Sequence, residues 1–486
     1  MKKARVICFV AVLILAIAGC TDTTTQRPPV KRPPTEKKPP IATGIAWNVQ
    51  SGRQVSQIQL EEIRQSFQIR DMIVIQVTNE QNSDGVFDPA SLKNIDELTE
   101  FALKLRWDDP TSPKNQTGVV REAVLAPSTV DRIGSGGPGV ITFEWLLTEQ
   151  TPQTREAALS IRDAALDHPL LNGTVVSSDG RSVYIWLPAT DKEICSRIQK
   201  TLEQKTQEFN GPERYDMTGI LVGAIRQDHL VSGEEATDTA SGPSVAYLVL
   251  GPAKDQMASK PYIDDLRIRL SEMSVEWKDD FPNVTDVVPE VEEKLLQKAS
   301  EAKTEQTYLE ELIDFANKKV DTVDEKEADL WYEFVDFFER EAQRLKLFKR
   351  PEMLRYLSAL QRHLQSAGRV SKSDSVADLV KKIHQELIDG RPQNFIVPDT
   401  PTAVAQCLLQ FQASHTPDAL WHFVTPDYGK ANIRMQLSGS STKDTKPLVE
   451  TILTFMEENP PPVSLEAAVL IPCLTWNPTS GLPQNE

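Results

Sequence analysis

Arg70-Asp71-Met72-Ile73-Val74-Ile75-Gln76-Val77 is followed, after the turn-formers Asn82-Ser83-Asp84-Gly85, by Asp88-Pro89-Ala90-Ser91-Leu92-Lys93-Asn94-Ile95-Asp96-Glu97-Leu98. The first run is rich in β-branched residues and reads as a strand. In the second, Asp88 stands where a helix cap belongs, Pro89 suits the first helical turn, and Leu92, Ile95, Leu98 and Leu105 recur at helical spacing. A strand feeding an amphipathic helix is one limb of a two-layer unit, so the predicted fold class is α+β. Further on, residues 119–125 predict a second strand, 154–166 a helix, and 173–176 with 182–187 a hairpin around Ser178-Asp179-Gly180-Arg181. Residues 193–209 then read as a helix and 215–219 as a short closing strand.

The same order returns later. Pro351-Glu352-Met353-Leu354 opens a helix through Leu357, Leu360 and Leu364 that matches the one at Pro89. Residues 403–412, 431–437 and 446–457 match the helix at 154, the strand at 182 and the helix at 193, so the pattern predicts an internal duplication. Between the copies, 245–250 is a candidate strand and the text from Tyr262 onward is helical. Leu309, Leu312, Ala316, Val320 and Val323 form one apolar stripe and Leu330, Phe334, Phe338, Ala342 and Leu345 another, which predicts a helical hairpin or short coiled coil. The expected organisation is a leader at 1–19, a proline-rich tether at 20–43, and a first α+β domain at 44–231. A linker at 232–242, a strand plus helical hairpin insertion at 243–348, a second α+β domain at 349–470 and a tail at 471–486 complete it.

At the amino end, Lys2, Lys3 and Arg5 precede a short apolar run that closes with Ile17-Ala18-Gly19-Cys20. A basic start, a short apolar segment and small residues before a cysteine mark an export signal. Ile17-Ala18-Gly19-Cys20 resembles the lipobox of bacterial lipoproteins, which implies cleavage before Cys20 and acylation of its thiol and new amino group. The roughly fourteen apolar residues are fewer than the about twenty a bilayer span needs. Arg27-Pro28-Pro29, Arg32-Pro33-Pro34 and Lys38-Pro39-Pro40 then predict an extended spacer between lipid and body. Thr21 stands where an inner-membrane retention signal often has aspartate, so the expected address is the cell envelope, the outer membrane rather than the inner, facing periplasm or exterior.

The formal net charge is −17, and removing the three positive residues of the leader takes it to about −20. Nucleic acid is excluded as a partner, because phosphate binding needs a basic stripe. Of five cysteines, Cys8 leaves with the leader and Cys20 takes lipid; Cys195, Cys407 and Cys473 make no zinc pattern and allow one bridge or none. Catalysis finds no constellation. The six histidines are scattered, and His415 and His422 are spaced for neither a helical ligand pair nor a finger. They read as surface or half-buried residues. Gly134-Ser135-Gly136-Gly137-Pro138-Gly139 lacks the Gly-Lys-Ser/Thr of a phosphate cradle and reads as a loop. Ser300-Glu301-Ala302-Lys303 and Ser440-Ser441-Thr442-Lys443 have no companion motifs, and no Gly-x-Ser-x-Gly elbow occurs. No catalytic residue, metal ligand or cofactor site is expected; the lipid attachment point Cys20 is the single site residue.

Several stretches together resemble the two extracytoplasmic loops of RND-superfamily exporters of the MMPL type. They are Ser91-Leu92-Lys93-Asn94-Ile95-Asp96-Glu97-Leu98-Thr99, the text from Val119 to Ser128-Thr129-Val130, His168-Pro169-Leu170-Leu171-Asn172-Gly173-Thr174-Val175-Val176-Ser177-Ser178-Asp179-Gly180-Arg181, and Thr218-Gly219-Ile220. In the second loop they are Pro351-Glu352-Met353-Leu354 with Leu360-Gln361-Arg362-His363-Leu364, Ser375-Val376-Ala377-Asp378, Pro417-Asp418-Ala419-Leu420 and Val424-Thr425-Pro426-Asp427-Tyr428. The resemblance covers roughly 70–230 and 345–465, and it implies two ferredoxin-like porter domains packed around a cavity for hydrophobic or amphiphilic substrates. The family's transmembrane helices and their proton-relay acids have no counterpart between Gly219 and Pro351 or after Leu465, so the expectation is a protein that cannot pump alone.

The reading is therefore a non-enzymatic envelope lipoprotein that binds a hydrophobic or lipid-like ligand or assists a separate multi-helix membrane transporter, with the apolar faces of its helical layers bounding the groove. The competing reading is a scaffold lipoprotein that binds no ligand.

Overall fold

In a computed structural model the described residues are 45–51, 53–109, 116–148, 151–222, 245–252, 260–299, 305–438 and 445–475. Cys20, the tether and the linker at 232–242 lie outside them. The first part of the chain forms β1 (Ile45–Asn48), β2 (Arg53–Gln54), α1 (Gln57–Ser66), β3 (Met72–Thr78), α2 (Pro89–Leu103), β4 (Arg106–Asp108), β5 (Gln116–Gly118), β6 (Asp131–Gly137), β7 (Val140–Trp145), α3 (Arg155–Asp167), β8 (Ser182–Pro188), α4 (Lys192–Thr206) and β9 (Arg214–Leu221). The second forms β10 (Val245–Pro252), α5 (Lys260–Glu276), α6 (Val284–Ala299), α7 (Glu305–Val320), α8 (Glu325–Leu345), α9 (Pro351–Ser366), β11 (Val370–Asp374), α10 (Val376–Ile388), α11 (Pro401–Phe411), β12 (Ala431–Leu437), α12 (Thr445–Glu458), β13 (Leu465–Ile471) and β14 (Cys473–Thr475). The fold is α+β.

Local chemistry sets the helix starts. Asp88 Oδ1 accepts from the Ala90 and Ser91 amides at 3.0 Å, with Pro89 at the first helical position. Ser375 and Asp378 close a capping box at α10, and Thr154 and Thr400 cap α3 and α11.

Both larger sheets are antiparallel, one ordered β14-β9-β3-β8 and the other β11-β12-β10-β13-β1-β2. Their central strands are buried on both faces, which is why β3 and β10 read as continuous apolar runs. Ile73, Ile75 and Val77 of β3 join a core with α2, α3 and α4, while Ala246, Leu248 and Leu250 of β10 join one with α9 to α12. The alternate residues Met72, Val74, Val245, Tyr247 and Val249 meet between the sheets, together with Phe67, Trp186 and Leu470. Two sheets thus pack face to face with helices outside them.

Three segments cross from one half to the other. β1 pairs with β13 (Ile45 opposite Ile471), β14 pairs with β9 (Cys473 opposite Leu221), and the β6–β7 hairpin lies on α10, the Gly139 amide donating to the Leu387 carbonyl at 2.7 Å. β1 and β2 therefore belong to the sheet of the second half, and Ile471 and Cys473–Thr475, expected as tail, are strand. The glycine-rich 134–139, expected as a loop, is the strand and tip of that hairpin, because a Cβ at Gly136 would come within 2.8 Å of Val140 Cγ1.

Other expectations change in detail. Residues 119–125 are not a strand: Val119 and Leu125 make single bridges to Ala189 and Trp186, and the charged pair Arg121-Glu122 is turned outward by a 3₁₀ turn that lets Val119 and Val124 reach the core. Of the expected hairpin around Asp179-Gly180, the turn and β8 form, but the 173–176 arm keeps only the Val176–Val183 bridge. The helical insertion is four helices rather than a hairpin. Both predicted stripes line its core, which draws only on α5 to α8, with Trp277 edge-on to Phe334 and Phe315 edge-on to Trp331. No helix of the described residues is long and apolar enough to cross a membrane.

Candidate functional site: a cleft between the halves

Adjoining cavities run between the two halves. One of them, about 720 Å³ and open to solvent, is bordered by Leu103, Arg121, Val124, Trp145, His415 and Pro417. Val124, Thr129, Thr416 and Ala419 also border a deeper space of about 90 Å³, enclosed by Ile133, Leu170, Val175 and Phe411. Leu125, His422, Phe423 and Arg434 are shared in turn with a third space of about 60 Å³ against Phe67, Met72, Trp186 and Tyr247. The helical layers, expected to bound the groove, do so at its outer rim through Glu100, Leu103 and Lys104 and in the deeper space through Phe411 at the end of α11; since the sheets face each other, the rest of the deep walls come from strands and loops.

The rim carries a polar clasp between the halves. Asp131 of β6 accepts from the His415 backbone amide at 3.0 Å and lies 2.6 Å from His415 Nδ1, while the imidazole stacks on Trp145 with centroids 4.5 Å apart. His415, half-exposed as expected, is thus tied across the halves, and His422 is 3.2 Å from the Phe67 carbonyl oxygen through Nδ1. Burial draws the His422 imidazole below its ordinary value.

The deep floor is ionic. Asp374 of β11 accepts from Arg434 Nη2 at 2.8 Å and Thr174 Oγ1 at 3.2 Å, and its other oxygen lies 3.4 Å from Lys372 Nζ. Lys372 also donates to the carbonyls of Pro169 and Asn172, and Gln436 to that of Gly173. Nearby, Lys382 Nζ sits 2.8 Å from Glu386 and 3.1 Å from Asp167. Burial lowers the Lys372 ammonium despite Asp374. The 168–176 loop of the first half is therefore held on β11 and β12 of the second by buried charge, an arrangement costly to break once formed.

His168 is 4 % exposed, neither at the surface nor half-buried as expected. Its Nδ1 accepts from the Leu170 amide at 3.2 Å, which fixes the proton on Nε2, and that N–H has no partner among the described residues. Desolvation, with Lys382 and Lys372 adding to it, pushes its pKa down to about 3. Asn432 donates to the His422 carbonyl at 2.9 Å and leaves, at the cleft wall, a buried Oδ1 with no partner among the described residues. Sequence reasoning missed His168, Arg434 and Asn432; the one signal available was that His168 opens the longest stretch resembling the exporter loops.

Cys195 and Cys407 are free and buried, and desolvation pushes each thiol up to about 12, so neither is a nucleophile. Among the described residues no group of three or more His, Cys, Asp or Glu is placed to hold a metal ion. No protein-family model, no curated protein and no solved structure matches the chain.

Proposed function

We propose that this chain is a non-enzymatic, lipid-anchored protein of the bacterial envelope, attached through Cys20, whose two halves are ferredoxin-like units of porter type and whose cleft receives a hydrophobic or lipid-like molecule, alone or for a separate membrane transporter. The carrying observation is the run of cavities between the halves, walled by Val124, Leu125, Ile133, Leu170, Phe411 and Phe423. Apolar sites at the junction of two units, with a few polar groups converging on them, are the usual form of small-molecule binding sites. The duplication is supported by strand order: β13-β10-β12-β11 is the 4-1-3-2 order of a βαββαβ unit with α9 and α12 as its helices, and β9-β3-β8, with the Leu125 bridge beside β8, follows it with α2 and α4.

Purification of the lipidated protein from its native envelope in mild detergent, with identification of accompanying polypeptides and extractable lipids, tests the reading. Lipid in the purified protein, with or without a multi-helix permease, is the expected result. No lipid, together with no displacement of a bound fluorescent fatty-acid probe, would replace it with the scaffold reading.

A further inference from the structure

The deep end of the cleft is not uniformly apolar, and two of its side chains, His168 and Arg434, carry donors left without acceptors among the described residues. His168 Nε2–H is a buried donor without an acceptor, fixed in that tautomer by the Leu170 amide. Beside it in the same cavity, Arg434 makes its hydrogen bonds to Asp374 and Thr174 through Nη2 alone, so Nη1 and Nε have no partner among the described residues. Arg434 and Lys372 share the single carboxylate of Asp374, and the adjacent Asp378 is matched by Lys381 at 2.7 Å. Lys382 in turn meets two carboxylates, Glu386 and Asp167, so the charges of the floor balance and what remains are donor edges without acceptors. The cavity's other carboxylates, Asp131 and Glu122, are on wall elements toward the open end, and Asp131 is held by His415.

A buried N–H without an acceptor is costly, and so is a guanidinium edge left without one. Both are relieved by one group, an anion with oxygen acceptors. Around them the walls are Leu125, Leu170, Val175 and Phe423, which take a hydrocarbon chain. We propose that the cleft binds an anionic amphiphile, its carboxylate or phosphate head accepting hydrogen bonds from His168 Nε2 and the free edge of Arg434 and its chain lying along the apolar wall toward Trp145. This rests on the ligand-binding reading given above and adds the charge and position of the head group. A neutral imidazole serves as the donor, so binding needs no protonation of His168. A bidentate edge on Arg434 suits either oxyanion.

The test compares ligands of one chain length and different heads: oleate, oleyl phosphate and oleyl alcohol displacing the uncharged fluorophore N-phenylnaphthylamine from the full chain, with Cys20→Ser so that it is handled without detergent. Charge-assisted hydrogen bonds to two donors should make both anions at least about tenfold tighter than the alcohol. In His168→Phe and in Arg434→Gln that gap should shrink to about twofold or less. Equal displacement by all three ligands overturns the anionic head and leaves the hydrophobic cleft standing. Displacement by none of them, with the fluorophore itself failing to bind, removes the reading beneath. Inorganic phosphate competing as well as oleyl phosphate would make the floor a small-anion site and overturn the amphiphile. Should Arg434→Gln fail to fold because Asp374 loses a partner, the ligand series on the unsubstituted protein and His168→Phe still decide the matter.

Discussion

Acid should destabilise this protein through His168, and the amount follows from its burial. The imidazole is neutral in the folded chain down to pH about 3, against an ordinary value of 6.5. Above pH 6.5 it is neutral whether the chain is folded or not and contributes nothing to the pH dependence. Below 6.5 the unfolded chain takes up a proton that the folded chain refuses, so stability is lost as the pH falls toward the folded value. At 1.36 kcal/mol per unit, lowering the pH from 7.5 to 4.5 removes about 3 kcal/mol through this one group. Carboxylates titrate in the same range, so the measurement is a difference: urea unfolding of the unsubstituted protein and of His168→Gln at pH 7.5, 6.5, 5.5 and 4.5. The unsubstituted protein should lose about 3 kcal/mol more than the variant across that range, and its His168 ring resonances should not titrate before unfolding. Parallel pH curves for the two proteins, or a ring that titrates near pH 6 in the folded state, would refute the claim that Nε2–H is sealed in the cleft.

Other substitutions probe the frame. Gly85 has φ +65° and a Cβ there would lie 2.0 Å from the Arg181 carbonyl oxygen, so Gly85→Ala should cost more than about 1 kcal/mol and lower the melting temperature, with an unchanged melting temperature as the contrary result. Removal of residues 253–345 deletes a core that α5 to α8 make among themselves, so the remaining chain should keep its far-ultraviolet strand signal and its probe binding; collapse of both would show that the sheets depend on the insertion. In a chain with Cys8→Ser, Cys20→Ser and Cys473→Ser, Cys195 and Cys407 should be unreactive toward Ellman's reagent at pH 8 and react in denaturant, and rapid labelling of the folded protein would contradict their burial.

Local chemistry is what the sequence made readable. Asp88-Pro89 announces α2 because cap and first turn are set within four residues, and β3 announces itself because burial on both faces turns Met72 to Val77 into an unbroken apolar run but for Gln76. The partners of strands were not readable. Ile45-Ala46-Trp47-Asn48 carries no sign that it will pair with Ala468 to Ile471, more than four hundred residues away, rather than with β3 nearby. Residues 119–125 misled because three of their four valines and leucines do reach the core or a bridge, though through a turn and not a strand. α5 blurs its own period: Ile263, Leu266 and Leu270 are buried, yet Ile268 and Val275 are more than half exposed on the same helix. The floor of the cleft is hidden for the reason β1 is. His168 and Thr174 meet Lys372, Asp374 and Arg434 only after two halves about two hundred residues apart have docked.

The crossings also decide how a ligand can enter. With β1 on β13, β14 on β9 and the β6–β7 hairpin on α10, a wholesale opening of the halves would break strand ladders and the buried Lys372–Asp374–Arg434 cluster together. The walls that are cheap to move are 121–125 and 416–423, which hold to the sheets through single backbone bridges at their ends, Leu125 to Trp186 and Val424 to Ala431, and, for 416–423, through the Asn432 side chain on the His422 carbonyl. Segments with few ladder bonds open at lower free energy than central strands. Amides of 121–125 and 416–423 should therefore exchange with solvent well before those of β3 and β10 in the unliganded protein, and oleyl phosphate should slow them selectively by filling the space behind them. Exchange as slow as that of β3 without ligand, or equal slowing along β3 and β10 on its addition, would mean that entry proceeds by separation of the halves, and the strand exchanges would then have to break in the functional cycle.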